Sequence, residues 1–386
     1  MSKVLVVGGN SGIGLAMVVS LLKKPDVFIY IVGKEAPCMT DVPHEVQIEF
    51  QKRTTFVRVD LTQDDFDYFK SIQDIDTLII TAGFGRVAPF EELTEVELVK
   101  LVECNMLGIM RIIKLFYHKI RSVQDFYCAV MGSIAGHVVS PLFSVYGATK
   151  FGLCSFVENL NAELCHDGYG NRILDVSPGS LHGTNFNGTG NDIYQLKGIA
   201  EEIISRMYAK QTLYIPQYEE IYKGVLERYH TDPTRYGVES YDYKLKSGRL
   251  VSKPQVVVGY LSGTFDLFHI GHLNLLRRAK EQCDYLIVGV HKSGSWKGKE
   301  TFIPFDERLE IVRSIRYVDE ARESFQEDSD AYDAIKYDKL FVGSDYKGTE
   351  RFMRYEEYFK GKGVEIVYFP YTKETSSTQL RDALKK

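Results

Sequence analysis

The sequence predicts an α/β protein made of two parallel-sheet units, a doubly wound one followed by a smaller one. Three observations predict it. Short Val/Ile/Leu-rich strand patterns alternate with helical patterns along the chain, as expected for strands buried on both faces. A strand at residues 3–7 runs through Gly8-Gly9-Asn10-Ser11-Gly12-Ile13-Gly14 into a helical pattern. The same strand–turn–helix order restarts at Val256, where Gly259 to Leu276 reads GYLSGTFDLFHIGHLNLL. A length of 386 residues also exceeds one ordinary core.

The first unit is expected over 1–235. Its predicted strands are 3–7, 27–32, 55–59, 77–81, 126–131 and 172–176. Its predicted helices are 15–22, 63–72, 91–120, 144–165 and 216–229. Residues 180–199 read as a mobile substrate loop, rich in glycine and asparagine. Breakers cluster after Thr231 (Asp232-Pro233, Gly237, Ser247-Gly248, Lys253-Pro254), which places a linker at 236–254. The second unit, 255–386, has predicted strands at 256–261, 285–290, 340–342 and 364–369. Helices are predicted at 273–279, 306–315 and 377–384, a small Rossmann-like core.

Composition narrows the function classes. Hydrophobic residues make up 44% and charged residues 26%, as in a globular protein. A net charge of −5 argues against a general nucleic-acid binder. No apolar run reaches the roughly 18 residues of a membrane span. Met1-Ser2-Lys3 leads directly into a strand without a signal-peptide pattern. The six cysteines show no CxxC spacing and mostly sit in apolar runs, so reduced thiols and a cytoplasmic protein are expected.

Three groups of residues carry chemistry in the first unit. Glycines 8, 12 and 14 let the backbone turn and approach a pyrophosphate at a helix N-terminus. Ser133 follows a strand, and Tyr146 and Lys150 lie thirteen and seventeen residues further on. Tyrosine and lysine four apart share a helix face. A nearby ammonium is expected to lower the phenol pKa, so that Tyr146 can protonate a carbonyl undergoing hydride reduction while Ser133 bonds its oxygen. The second strand ends Ile31-Val32-Gly33-Lys34, without the carboxylate that would take a ribose 2′-hydroxyl. Lys34 there favours NADPH, with NADH and a merely solvent-facing lysine as the alternatives. Arg86 is a candidate contact for a substrate phosphate, or else a solvated loop charge.

On these residues the first unit resembles the short-chain dehydrogenase/reductase family. The resemblance implies cofactor contacts from Gly8, Asn10, Ser11, Gly12, Ile13, Gly14, Lys34, Asp60, Leu61, Ala82, Gly83, Pro178, Gly179 and Thr184. It implies a catalytic tetrad of Asn105, Ser133, Tyr146 and Lys150. Val7 and Thr81 depart from the family's usual threonine and asparagine.

In the second unit, His269 and His272 stand three apart at a helix start, near the positive end of its dipole, with Gly271 between them. That arrangement suits a phosphoryl group in transfer. Lys297, Lys299, Arg308 and the hydroxyl run Ser376-Ser377-Thr378 add the charges and donors a triphosphate needs. The unit resembles glycerol-3-phosphate cytidylyltransferases. The resemblance implies CTP contacts from Thr264, Phe265, His269, His272, Lys297, Lys299, Arg308, Asp345, Thr372, Ser376, Ser377 and Thr378. His269, His272 and Lys299 would be catalytic, and Asp266 would be a Mg²⁺ contact. Tyr371 replaces the family's arginine and Glu374-Thr375 its Gly-Ile, which leaves the base and the acceptor open.

Together the resemblances imply a bifunctional enzyme. It would reduce a ketose phosphate, D-ribulose 5-phosphate first among them, and convert the alditol phosphate with CTP to a CDP-alditol such as CDP-ribitol. Such products feed teichoic-acid-like or capsular polymers. Xylulose 5-phosphate, fructose 6-phosphate and dihydroxyacetone phosphate remain open, as does reduction after cytidylyl transfer. A decayed domain acting as a scaffold is the non-catalytic alternative. The expected partners are CTP and a phosphorylated sugar or polyol, with no nucleic acid, no membrane and a homodimer or higher homo-oligomer.

Overall fold

The computed structural model describes residues 1–39, 42–63, 66–184, 186, 191–248, 250, 256–293 and 301–370. The chain divides into two compact units, Met1–Pro254 and Gln255–Lys386.

The first unit holds seven parallel strands: β1 Ser2–Val7, β2 Val27–Gly33, β3 Thr54–Arg58, β4 Thr77–Ile80, β5 Tyr127–Met131, β6 Ile173–Val176 and β7 Leu213–Tyr214. They lie in the order 3-2-1-4-5-6-7. The helices are α1 Gly12–Leu21, α2 His44–Arg53, α3 Asp67–Ser71, α4 Glu95–Val102, α5 Gly108–Ile120, α6 Ser144–His166, α7 Lys197–Tyr208, α8 Lys223–Thr231 and α9 Pro233–Lys246. Period-2 alternation sends β1 into two cores. Leu5 and Val7 meet Ile112 and Phe116 of α5 and Leu153 and Val157 of α6 on one face. Val4 and Val6 meet Met17 of α1 and Ile203 and Met207 of α7 on the other. This is a doubly wound sheet. Its strand order reverses between β1 and β4, so a ligand crevice opens at the carboxyl ends of those strands.

The second unit holds five parallel strands: β8 Val258–Gly263, β9 Tyr285–Val290, β10 Glu320–Glu323, β11 Lys339–Gly343 and β12 Glu365–Phe369. Their order is 10-9-8-11-12, with the reversal at β8. Its helices are α10 Ile270–Lys280, α11 Phe305–Arg313, α12 Asp328–Ile335 and α13 Glu350–Phe359.

Several elements differ from expectation. The helix foreseen at 91–120 is three pieces, because a π-helical turn at Glu103–Leu107 separates α4 from α5. A second π turn, Tyr218–Tyr222, precedes α8, and Gln217 before it is left-handed. Part of the expected linker is helical. Asp232 caps α9 by accepting from Arg235 N at 2.9 Å, and proline fits its first turn. Lys244 then ties α9 to the first unit through Ser140 Oγ and Pro141 O, 2.7 and 2.6 Å away. Elements α2, α7, β10, α12 and α13 were not foreseen. The charged stretch HEVQIEFQKR forms α2 without a buried side chain, so no apolar stripe marks it in the sequence. The terminal helix expected at 377–384 lies outside the described residues.

Candidate functional sites

In the first unit the site begins at the carboxyl end of β1. Gly8 has φ +87°, and a Cβ there would sit 2.5 Å from Ala82 N at the end of β4. A Cβ on Gly14 would come within 2.2 Å of Gly8 O. Only glycine allows the loop to lie this close to the sheet and to the start of α1. That is the close cradle a pyrophosphate needs. Thr184 packs over it, its Cγ2 3.6 Å from the position of a Cβ on Gly12. Asn10 reaches across to the end of β2, where its Oδ1 would be 2.3 Å from a Cβ on Gly33. Next to it Lys34 Nζ stands 3.5 Å from Asp60 Oδ2. Burial pushes the Asp60 carboxyl up, but Lys34 and two bonds from Thr62 outweigh it and hold the group below its ordinary value. Leu61 is buried beside it. The expected cofactor residues of β1, β2, β4 and β6 thus line one edge of the sheet and fit a dinucleotide.

The tetrad sits at the same edge. Asn105 lies in the π turn, fully buried. Its amide donates to Phe84 O at 2.8 Å and its oxygen accepts from Phe84 N at 3.0 Å, which anchors the strand end after Gly83. A π turn at a functional residue fits the usual placement of such turns. Ser133 opens a short 3₁₀ turn and hydrogen-bonds Tyr146. Lys150, one turn along α6, donates to Met131 O at 2.7 Å and lies 5.7 Å from the Tyr146 ring centroid.

The electrostatics differ from expectation. Burial raises the Tyr146 phenol above its ordinary value, and the Ser133 bond offsets only part of the rise. Burial also lowers Lys150. The phenol is therefore a protonated donor rather than a depressed one, because the ammonium is turned toward Met131. The arrangement can bind a carbonyl oxygen between two hydroxyls and hand it a proton.

Arg86 is corrected. It is buried, and its guanidinium grips Glu97 with two bonds of 2.8 and 2.9 Å and Glu92 O with a third of 2.8 Å. Its place is in the cap of α4, where Thr94 and Glu97 form a capping box. Sequence reasoning missed Phe143, which stacks on Tyr146 at 4.1 Å, and Phe186, at 5.3 Å from the same ring. It also missed Tyr222, whose hydroxyl occupies the space beside Gly179, 1.4 Å from where a Cβ would be. Phe143 is the non-helical residue before α6, so no helix-face spacing pointed to it.

In the second unit His269 is the N-cap of α10. Its Nδ1 accepts from Gly271 N at 3.0 Å, so the proton belongs on Nε2, the nitrogen left to donate. His269 and His272 stack with ring centroids 4.0 Å apart. Phe265 and Phe268 wall His272, and its Nδ1 is a buried atom without a protein partner. Burial, then the neighbouring His269, pulls His272 down to about 3 against an opposing pull from Asp266. Burial lowers His269 too. The His272 ring is therefore neutral at pH 7. Asp345 follows β11, the neighbour of β8, and so lies at the same sheet edge.

Two assignments are corrected here. Arg308 is fully buried and spends its guanidinium on the carbonyls of Ile303, Thr264, His291 and Lys292. Among the described residues its guanidinium is used to hold these loops together. Asp266, also buried, accepts from Phe302 N and Ile303 N at 3.0–3.1 Å. Both of its oxygens face backbone amides, so it does not fit a Mg²⁺ ligand. Thr264 contributes its carbonyl to Arg308, and Phe265 contributes a ring to the histidine pocket. Lys297, Lys299, Thr372, Ser376, Ser377 and Thr378, with Tyr371, Glu374 and Thr375, lie outside the described residues.

Comparison with known proteins agrees with both geometries. Residues 2–193 match the family described as short chain dehydrogenase, and residues 260–383 the family described as cytidylyltransferase-like. The chain is 32% identical over 126 residues to a glycerol-3-phosphate cytidylyltransferase of Bacillus subtilis, covering 32% of this chain and 92% of the relative. It is 31% identical over 137 residues to an FAD synthase of Pyrococcus abyssi, covering 34% and 90%. The first unit is 28% identical over 184 residues to carbonyl reductase family member 4 of Xenopus tropicalis, covering 47% and 77%. The chain therefore carries an N-terminal short-chain dehydrogenase domain and belongs, through its second unit, to the cytidylyltransferase-like family.

Proposed function

We propose that the first domain reduces a ketose phosphate with NADPH to an alditol phosphate, and that the second transfers CMP from CTP to that phosphate, giving a CDP-alditol and pyrophosphate. The observation that supports the reading is the presence on one chain of two separate polar centres. One is the buried Tyr146–Ser133 proton donor, and the other is the His269–His272 pair at the head of α10. D-Ribulose 5-phosphate and CDP-ribitol are the leading substrate and product.

Bound nicotinamide would supply the hydride. Gly8, Gly12, Gly14 and Thr184 would hold its pyrophosphate, and Asp60 and Leu61 its adenine. Lys34, half-exposed at the end of β2, favours the 2′-phosphate of NADPH over NADH. Tyr146 delivers the proton to the new alkoxide while Ser133 orients the oxygen. In the second domain the acceptor's phosphate oxygen attacks the α-phosphorus, and pyrophosphate leaves without a covalent enzyme intermediate. His269 donates from Nε2 to the charge that builds there. Similarity to an FAD synthase makes ATP the alternative nucleotide. The reaction belongs in the cytoplasm, where both soluble substrates are found.

The test follows NADPH oxidation over C3 to C6 ketose phosphates, then adds CTP or ATP and measures pyrophosphate. The reading expects NADPH oxidation without nucleotide and pyrophosphate only once the alditol phosphate exists. Release of pyrophosphate from ketose phosphate and CTP before any reduction would instead put cytidylyl transfer first. NADPH oxidation by none of these sugars would overturn the reductase assignment.

A further inference from the structure

Behind Ser133 lies a buried polar cluster to which neither activity assigns a role. Asp175 is the next-to-last residue of β6, and Ser177 follows the strand directly before Pro178-Gly179. Ser177 Oγ donates to Asp175 Oδ1 at 2.8 Å. His137, just after the Ser133 turn, brings Nε2 to 2.9 Å from Ser177 Oγ and 3.7 Å from Asp175 Oδ2. Cys154, one helical turn beyond Lys150, hydrogen-bonds Asp175 and Ser177 and accepts from the backbone of Ser133. The fit is close. A Cβ on Gly132 would lie 2.2 Å from Asp175 Oδ1 and 2.9 Å from Cys154 Sγ, and one on Gly136 only 2.6 Å from that sulfur. The cluster thus ties three pieces of the reductase centre: the Ser133 loop, the helix of Tyr146 and Lys150, and the Pro178-Gly179 segment.

His137, Cys154 and Asp175 also have the composition of a metal site, with ligand atoms within 4.8 Å of one another. Their hydrogen bonds to one another and to Ser177 already satisfy them, so nothing there calls for an ion. A different role follows from charge. The groups acting on Lys150 are Tyr146 and Cys154 on its own helix, Cys104 on the π turn and Asp175 on β6. Burial pushes both thiols up to about 12, so they are uncharged at neutral pH. Geometry singles out Asp175: its Oδ1 lies against Gly132, while the buried Lys150 ammonium bonds the carbonyl of the preceding residue, Met131.

We propose that Asp175 is a positioning residue of the reductase: through Ser177, Cys154 and His137 it clamps the Ser133 loop, and it supplies the counter-charge of Lys150. The inference rests on the reductase reading of the first domain. Asp175→Asn keeps the size and the bond from Ser177 but removes the charge. In the full chain it moves the alkaline limb of the kcat profile for ketose-phosphate reduction down by about one pH unit or more, and lowers kcat about tenfold. KM for the ketose phosphate stays near the wild-type value. Cys154→Ala keeps the charge and cuts the link to Ser133, so kcat falls with the limb unmoved. It serves also if Asp175→Asn fails to fold, and wild-type kcat in Cys154→Ala then overturns the clamp.

Fluorescence titration with NADPH or NADH across the same pH range repeats the test without a sugar. Lys150 Nζ lies 3.4 Å from where a Cβ on Gly83 would be, at the expected nucleotide edge, so the NADPH affinity of Asp175→Asn should fall at lower pH than that of the wild type. An alkaline limb and a binding profile that superimpose on wild type overturn the proposal. A wild-type chain that binds nucleotide but reduces no ketose phosphate overturns the functional reading instead, and the binding profile still decides this one. A chain that binds neither nucleotide overturns both.

Discussion

At pH 7 Tyr146 carries its proton and His272 does not, and one cause, burial, accounts for both. For Tyr146 this means that Tyr146→Phe removes the proton donor without disturbing the fold. NADPH oxidation should fall by about 10²–10⁴-fold while CMP transfer is unchanged. A pyrophosphate assay beside the NADPH assay checks it.

For His272 the sign runs through linkage. Its folded pKa of about 3 lies below the ordinary 6.5, so the unfolded chain binds more protons between these values. The stabilisation is complete above pH 6.5 and is lost as pH falls toward 3. Denaturant unfolding of the second domain should show its midpoint dropping over that window, and His272→Gln should flatten the drop. A triphosphate placed beside these rings favours their charged forms. CTP binding at pH 7 should therefore take up protons. The binding enthalpy should become more endothermic in buffers of higher ionisation enthalpy, and equal enthalpies in all buffers would refute the uptake.

Among elements, the capped start of α4 and the head of α11 reassign two arginines that look like phosphate ligands in the sequence. Arg86 and Glu97 form a buried pair, and breaking such a pair leaves an uncompensated charge. Arg86→Ala should lower unfolding free energy by about 3–5 kcal/mol, with no selective rise in the ketose-phosphate KM. Thermal unfolding beside a KM measurement separates the two roles. Arg308→Met should unlatch the loops at Thr264, His291 and Ile303. It should cut CMP transfer and lower the melting temperature of the second domain, leaving the reductase rate as it was. An arginine reads alike in a sequence whether it faces a ligand or four carbonyls, because the difference lies in which loops converge on it. The π turn that carries Asn105 was equally illegible, since one extra residue per turn leaves the hydrophobic pattern of 91–120 nearly intact.

At the scale of the molecule, no described helix is long and apolar enough to cross a membrane, and the six cysteines form no disulfide. The two chemistries share a chain but use separate residues. A Tyr146→Phe chain supplied with ketose phosphate, NADPH and CTP should yield no CDP-alditol. A His272→Ala chain should accumulate alditol phosphate. Mixing the two should restore product if the intermediate passes through solution, and chromatography of the nucleotide products reads the outcome.

The strand–turn–helix opening of each unit, the two glycine-bearing turns, the YxxxK pair and the HxGH pair were all determined by the sequence alone. Each depends on local spacing: period 2 for strands, 3.6 for helices, and glycine where a loop must lie against a strand end. Tertiary structure alone decided what those residues experience. It turned Lys150 toward Met131, raised Tyr146 and emptied His272 of its proton by burial. It also consumed Arg86, Arg308 and Asp266 in the framework, and it set Asp175, Ser177, His137 and Cys154 behind Ser133. Burial and long-range hydrogen bonds arise between segments tens of residues apart, so the spacing of residues within any one segment carries no record of them.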